Sequence, residues 1–209
     1  MSRQLIYFAD PMCSWCWGFA PVITAIESQF GAELPIRIIM GGLRPGTSEP
    51  MREKDKATIR EHWEHVHEAS SQPFDFSFFE REGFVYDTEP AARAVTAVRR
   101  LAPQSALSYL KYVQQAFYAE GRDVTRLEVL AELAGEMGLD AEAVRAEWPG
   151  ERAIEDTKAD FAITRKTGIR GFPALLAGRE GEPFKLVTTG YQSWEALRPA
   201  LDHWFETGR

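Results

Sequence analysis

Asp10-Pro-Met-Cys13-Ser-Trp-Cys16-Trp-Gly-Phe-Ala-Pro21 holds both cysteines of the 209-residue sequence. It follows directly on Gln4–Ala9, a short apolar and aromatic run that reads as a buried strand closed by Asp10-Pro11. Beyond it, Cys16, Phe19, Ala20, Ile23, Ile26 and Phe30 recur at helical spacing. The pattern predicts a helix that begins at or just before Cys13, kinks at Pro21 and ends in a left-handed cap at Gly31. A Cys-x-x-Cys between strand and helix either exchanges electrons with other thiols or supplies half of a metal site.

Working outward, Pro35–Met40 is a second strand-like run ending at Gly41-Gly42, so the first 40 or so residues read as a right-handed βαβ unit with a parallel strand pair. From about residue 50 to 167 helical signals take over. Ile59, Trp63 and Val66 mark one helix. Ala91, Val95, Val98 and Leu101 mark another, entered at Thr88-Glu-Pro, and Leu110, Val113 and Phe117 a third, closed near Gly121. Thr125-Arg-Leu-Glu128 reads as a capping box opening a helix through Leu127, Leu130, Ala134 and Met137 to Gly138; Asp140 starts a shorter one, and Ile154–Thr167 makes the last, with Phe161 inward and Gly168 as cap. Strand signals return in Pro173–Ala177 and Lys185–Tyr191, a hairpin through the turn-rich 178–183. A final helix over 193–206 is capped by Ser193 and turns Trp194, Leu197, Leu201, Trp204 and Phe205 inward, unless Pro199 moves its start to Arg198. The expected organisation is one α/β domain, residues 1–48 and 168–209, interrupted by a helical insertion over 49–167.

At 44% hydrophobic the chain can bury a sizeable core. A net charge of -7 with scattered basic residues argues against nucleic acid or an anionic membrane as partner. Five consecutive apolar residues near the start are too few for a signal peptide, and no run approaches a membrane span, so a soluble cytoplasmic protein is expected. Two cysteines so close cannot staple distant segments, which suits a reducing compartment.

A cysteine at the first turn of a helix faces unsatisfied N–H groups and the positive end of the helix dipole, which favours thiolate over thiol. Cys13 occupies that place, and Cys16, a turn deeper, would attack Cys13 once a mixed disulfide had formed there. The metal reading needs further ligands, and the available cluster is His62, His65 and His67. At about 100° per residue, His62 and His65 lie roughly 60° apart while His67 lies roughly 140–160° from both. Those three cannot converge on one ion, so they read as solvated or rim histidines, and no metal or cofactor is expected.

Cys13-Ser-Trp-Cys16 after a strand, Pro21, the inserted helical block and Gly171-Phe172-Pro173 opening the late hairpin together resemble the thioredoxin superfamily, and within it the DsbA-like proteins. Ala116–Gly138 resembles the helical segment shared with kappa-class glutathione-transferase-like proteins, and Asp10–Pro21 resembles a branch of cytosolic disulfide isomerases. The resemblance implies a thioredoxin fold, a cis Phe172–Pro173 bond beside Cys13, and a Phe172 main chain able to pair with a substrate peptide. It makes Cys13, Cys16 and Pro173 the catalytic set with Phe172 beside them; Trp15, Trp17 and Phe19 cluster near the same place as candidate substrate contacts, some of them necessarily core, with Trp15 the one to form an apolar patch. Partners would be protein or peptide thiols and disulfides, or glutathione. The family's acid six residues before the first cysteine is here Tyr7, Asp10 being the nearest acid or merely a turn-former, and Ser14-Trp15 lacks the histidine of strongly oxidising DsbA. Two alternatives stand beside the oxidoreductase: a kappa-like glutathione-dependent transferase or isomerase, which generally has Ser at the place of Cys13, and a metal-binding or chaperone-like module.

Overall fold

The apolar run Arg3–Ala9 forms β1, at the centre of the molecule's sheet. β2 (Ile36–Met40) lies parallel to it on one side, β3 (Ala174–Arg179) antiparallel on the other, and β4 (Lys185–Thr189) outside β3, giving the order β2-β1-β3-β4. The computed structural model describes residues 3–179 and 181–208, so Met1, Ser2, Arg209 and Glu180 of the expected hairpin turn lie outside the described residues. Strand alternation sends Leu5, Tyr7 and Ala9 into the main apolar cluster, with Ile23 and Ile26 of α1 (Ser14–Phe30) and Leu197 and Leu201 of α8 (Trp194–Thr207). Phe8 points the other way, into a smaller cluster with Ile39, Ala174 and Leu176.

Between β2 and β3 run α2 (Glu53–Ser70), α3 (Glu89–Leu101), α4 (Ala106–Tyr118), α5 (Leu127–Glu136), α6 (Ala141–Glu147) and α7 (Glu151–Thr167). The result is an α/β thioredoxin fold with a helical insertion. Three devices join the insertion to the sheet domain. Gly18 lets α2 come close to α1, since a Cβ there would lie 2.8 Å from Val66 Cγ1. Pro21 has no N–H for the Trp17 carbonyl four residues back, and that carbonyl instead accepts from Gln72 Nε2 at 3.0 Å. The outer edge of β2 is closed by side chains rather than by another strand. Ile38 C=O accepts from Arg99 at 2.9 Å, Met40 N–H donates to Asp160 at 2.9 Å, and Met40 C=O accepts from the Thr164 hydroxyl at 3.1 Å. Arg99 and Asp160 pair with each other at 2.7 Å, so α3 and α7 are tied together over the strand edge.

The insertion is built on Trp63, whose ring has Phe74, Phe78, Phe79, Phe117 and Tyr118 around it at centroid distances of 4.8–6.0 Å. Buried Trp63 and Phe78 come from elements far apart in sequence from Phe117, so this cluster welds α2 to α4.

Several local expectations are corrected. Leu101 is 46% exposed because α3 ends on it, beyond the packed part of the helix. The capping box at Thr125–Glu128 does not form; the Thr125 hydroxyl and N–H both bond to Asp123, and α5 starts one residue later than a Thr125 cap would require. Ser193 caps α8 by accepting from Ala196 N–H, so Pro199 lies inside that helix and the start at Arg198 is excluded. Gly31 ends α1 at φ 52° but with ψ -135°, outside the left-handed helical region.

Removing Asp160 would leave a strand-edge N–H and a partly buried guanidinium unpaired. Asp160→Ala is expected to destabilise the fold by about 3 kcal/mol, the lower end for breaking a buried pair because Arg99 keeps some solvent contact. Urea unfolding followed by tryptophan fluorescence reads this directly, and a loss under about 1 kcal/mol would contradict the edge-closing role.

Candidate active site

The turn between β1 and α1 is shaped by Asp10. Its wholly buried carboxylate accepts from Met12 N–H at 2.9 Å and from Leu43 N–H at 2.8 Å, while its main-chain carbonyl accepts from Cys13 N–H at 3.1 Å. Cys13 is the N-cap of α1, with extended backbone, so the helix starts one residue after it and Cys16 falls in the first turn. Cys13 is 6% exposed and Cys16 wholly buried, and both are free thiols. The Cys13 thiol reaches the Phe172 carbonyl, with Sγ 3.6 Å from the oxygen, and the Phe172–Pro173 bond is cis. Phe172 is seated by Gly41, where any Cβ would lie 2.3 Å from the phenyl ring. A cleft of about 270 Å³ opens over Cys13, walled by Trp15, Arg44, His62, Tyr86 and Phe172 among others.

Burial acts most strongly on the groups behind Cys13. It pushes the Cys16 thiol up, and the neighbouring Cys13 side chain adds to the effect. Burial likewise raises Tyr7, and the neighbouring Cys16 and Cys13 add to the effect. The Asp10 carboxyl is raised to about 6 by burial, offset in part by the N–H groups of Leu43 and Met12 and by the Thr88 hydroxyl. A thiol at the cleft floor backed by a buried one can form a mixed disulfide with an incoming sulfur and then release it by attack from behind.

The structure divides the expected contacts. Trp15 and Phe172 stand at the cleft with Cys13, Trp15 resting on Tyr191 at 5.7 Å, and Pro173 is buried at the start of β3. Phe19 is corrected, and Trp17 is placed away from this cleft. Trp17 is buried and donates from Nε1 to Pro73 C=O at 3.0 Å, so together with the Gln72 bond it anchors the end of α2 to α1. Phe19 is wholly buried between Tyr7 and Tyr191. Phe19 is thereby closed off from a substrate, whereas Trp17 lines a separate cleft with Pro21, Thr24 and Tyr112. His62 faces the cleft, whereas exposed His67 bonds through Nδ1 to Gln72 C=O at 2.8 Å. Among the described residues no three His, Cys, Asp or Glu converge as a metal site would require, and no helix is long and apolar enough to cross a membrane.

Local patterning gave no signal for Arg44, Tyr86 and Tyr118, which only the fold brings to the site. Tyr86 donates to Met12 C=O at 2.8 Å and meets the Tyr118 hydroxyl at 3.3 Å, supporting the cysteine turn from the side of the insertion.

A thioredoxin fold with a helical insertion and a cysteine pair at the start of α1 defines a protein of the thioredoxin class. The chain belongs to the DSBA-like thioredoxin domain family, whose profile matches residues 4–202. A Nitrosomonas europaea protein whose crystal structure carries the provisional designation protein disulfide isomerase is 40% identical, with a TM-score of 0.93 over 100% of both chains. Cytosolic disulfide reductase DsbM from Pseudomonas aeruginosa is 27% identical, with a TM-score of 0.80 over 97% of this chain and 98% of that one; a second DsbM structure, with GSH, scores 0.78 at 25% identity over 97% and 99%. Among curated proteins, the ClpXP adapter protein SpxH of Bacillus subtilis is 23% identical over 200 residues, which are 95% of this chain but 66% of SpxH. The chain thus spans just under two thirds of the length of that relative.

The buried Asp10 carboxyl makes a signed pH prediction. Its native form holds a proton more tightly than the unfolded chain, so ionisation opposes folding: the favourable contribution is complete below about pH 4 and is lost as pH rises through about 6. Wild-type stability should therefore fall by about 3 kcal/mol relative to Asp10→Asn between pH 4 and 7. Denaturant midpoints across that range test it; a difference that stays constant with pH would refute it.

Proposed function

We propose that this protein is a thiol–disulfide oxidoreductase and isomerase in which Cys13 attacks and Cys16 resolves, acting on disulfides of proteins or peptides and exchanging with glutathione. The observation that carries the reading is the pair itself: Cys13 at the helix start on the floor of an open cleft, Cys16 wholly buried directly behind it. In the forward sense the Cys13 thiolate attacks a substrate disulfide, forming the Cys13–substrate bond and expelling one substrate sulfur as thiolate. Cys16 then gives up its proton and attacks Cys13 Sγ, which closes the Cys13–Cys16 disulfide and releases the second sulfur; two electrons have passed from protein to substrate. The raised Cys16 thiol stays protonated until a mixed disulfide stands in front of it, which suits a resolving role.

Trp15 and the Phe172 main chain are proposed to hold the substrate, the former as an apolar patch and the latter as a strand edge. Pro173 fixes the position of that edge. The likeness to cytosolic DsbM supports a cytoplasmic setting and a reducing direction, and its structure with GSH supports glutathione as a partner. The sheet domain, residues 1–48 and 168–209, would then carry the chemistry, and the helical insertion, 49–167, the far wall of the cleft.

Insulin reduction and single-turnover trapping test the roles. Cys13→Ser should abolish turnover, while Cys16→Ser should accumulate a mixed disulfide on Cys13 that mass spectrometry detects. Cys13→Ser with full activity, or saturable glutathione transfer surviving Cys16→Ser at the wild-type rate, would move the assignment to a kappa-like transferase.

A further inference from the structure

The cleft over Cys13 has an electrostatic character opposite to that of the whole chain. The protein carries a net charge of -7, yet among the described residues no carboxylate side chain lines this cleft; its permanent charge is Arg44, and His62 of α2 lines it too. Arg44 is exposed, but its place is fixed. Its N–H donates to the Thr88 hydroxyl at 3.0 Å, the preceding residue, Leu43, is bonded to Asp10, and its guanidinium lies 5.4 Å from the centre of the Tyr86 ring. Tyr86 is in turn tied to Met12, next to Cys13. Among the described residues Arg44 makes no ion pair within 4.0 Å, although Arg52, Arg93, Arg99, Arg100 and Arg122 all do. Arg44 also lines a neighbouring cleft with Glu49 and Asp55, where it makes no ion pair with either; Asp55 is engaged by Arg52 through bonds of 2.8 and 3.2 Å, and Asp10 lies buried beneath with its oxygens occupied by N–H groups. The result is a guanidinium with free donors, held on an aromatic face at the rim of a redox cleft. Such a fork fits a carboxylate.

We propose that Arg44 is a specificity-determining residue: it pairs with a carboxylate of a small disulfide and so presents that disulfide's sulfur to Cys13. The inference rests on the oxidoreductase reading above and adds the substrate class, acidic low-molecular-weight disulfides. The chemistry is balanced by the protein's own dithiol. Cys13 and Cys16 lose two electrons and two protons overall, the disulfide becomes two thiols, and Arg44 takes no part in the electron count.

The test uses pre-reduced full-length protein in single turnover, with loss of titratable thiol as the readout. Glutathione disulfide is compared with the same molecule fully esterified at its carboxyls, which keeps the skeleton and removes the negative charge. Wild type is expected to react about tenfold faster with the acid than with the ester, the ratio shrinking as salt rises. In Arg44→Gln the ratio should collapse toward one, and Arg44→Lys should recover part of it. A wild-type ratio near one, or a ratio that Arg44→Gln leaves intact, overturns the assignment of Arg44 while leaving the oxidoreductase standing. Wild-type protein that reacts with neither disulfide but still reduces insulin overturns this inference alone, whereas protein that also fails on insulin overturns the oxidoreductase reading and this one with it. Circular dichroism of the variants separates either result from misfolding.

Discussion

A single buried carboxylate, that of Asp10, holds the site together. Its two oxygens and its carbonyl accept from the turn that leads into α1 and from the loop that follows β2, so the cysteine turn and the Arg44 loop are fixed against each other. Burying a charge is costly unless it is richly hydrogen-bonded, and here the N–H groups of Met12 and Leu43 are the compensation. The remaining cost is visible in the carboxyl's rise to about 6. This anchoring and the Tyr86 bond to Met12 hold the turn that carries Cys13 to the N-cap of α1.

Around that point the sheet domain and the insertion make a joint structure. Pro21 breaks one helical hydrogen bond of α1, and the freed carbonyl of Trp17 becomes a socket for Gln72 at the end of α2. Trp17 closes the same joint with its indole N–H on Pro73. On the other side, Arg99, Asp160 and Thr164 satisfy the outward polar groups of β2. An exposed strand edge would invite another chain, and here α3 and α7 cover it with side chains.

The element pattern was legible because hydrophobic period and punctuation are local. Cys16 to Phe30 at helical spacing, the β1 run before them and the hairpin cues after Pro173 all mark elements that form, although α1 starts at Ser14 rather than at or before Cys13 and β4 ends at Thr189 rather than Tyr191. Misreadings arose where a local signal had a competitor. Thr125 and Glu128 have the spacing of a capping box, but Asp123 takes the Thr125 hydroxyl first. Pro199 reads as a helix start, but Ser193 already caps the helix ahead of it. Trp17 and Phe19 lie beside the cysteines in sequence, yet helical geometry turns them into the core.

The sequence alone determined the order of elements and the place of the two cysteines: separated by two residues, at a strand-to-helix turn, with a helical block between the halves of a small sheet. Those properties depend on residue type and spacing, which the chain carries whatever its neighbours. The tertiary structure decided what surrounds the thiols. Arg44, Tyr86 and His62 reach the cleft from three separate stretches, Gly41 makes room for Phe172 across the sheet, and Tyr7 meets Cys16 from the strand beneath. The reason is physical: burial, hydrogen-bond partnership and local charge are properties of side chains brought together in space, and no periodicity along the chain encodes them.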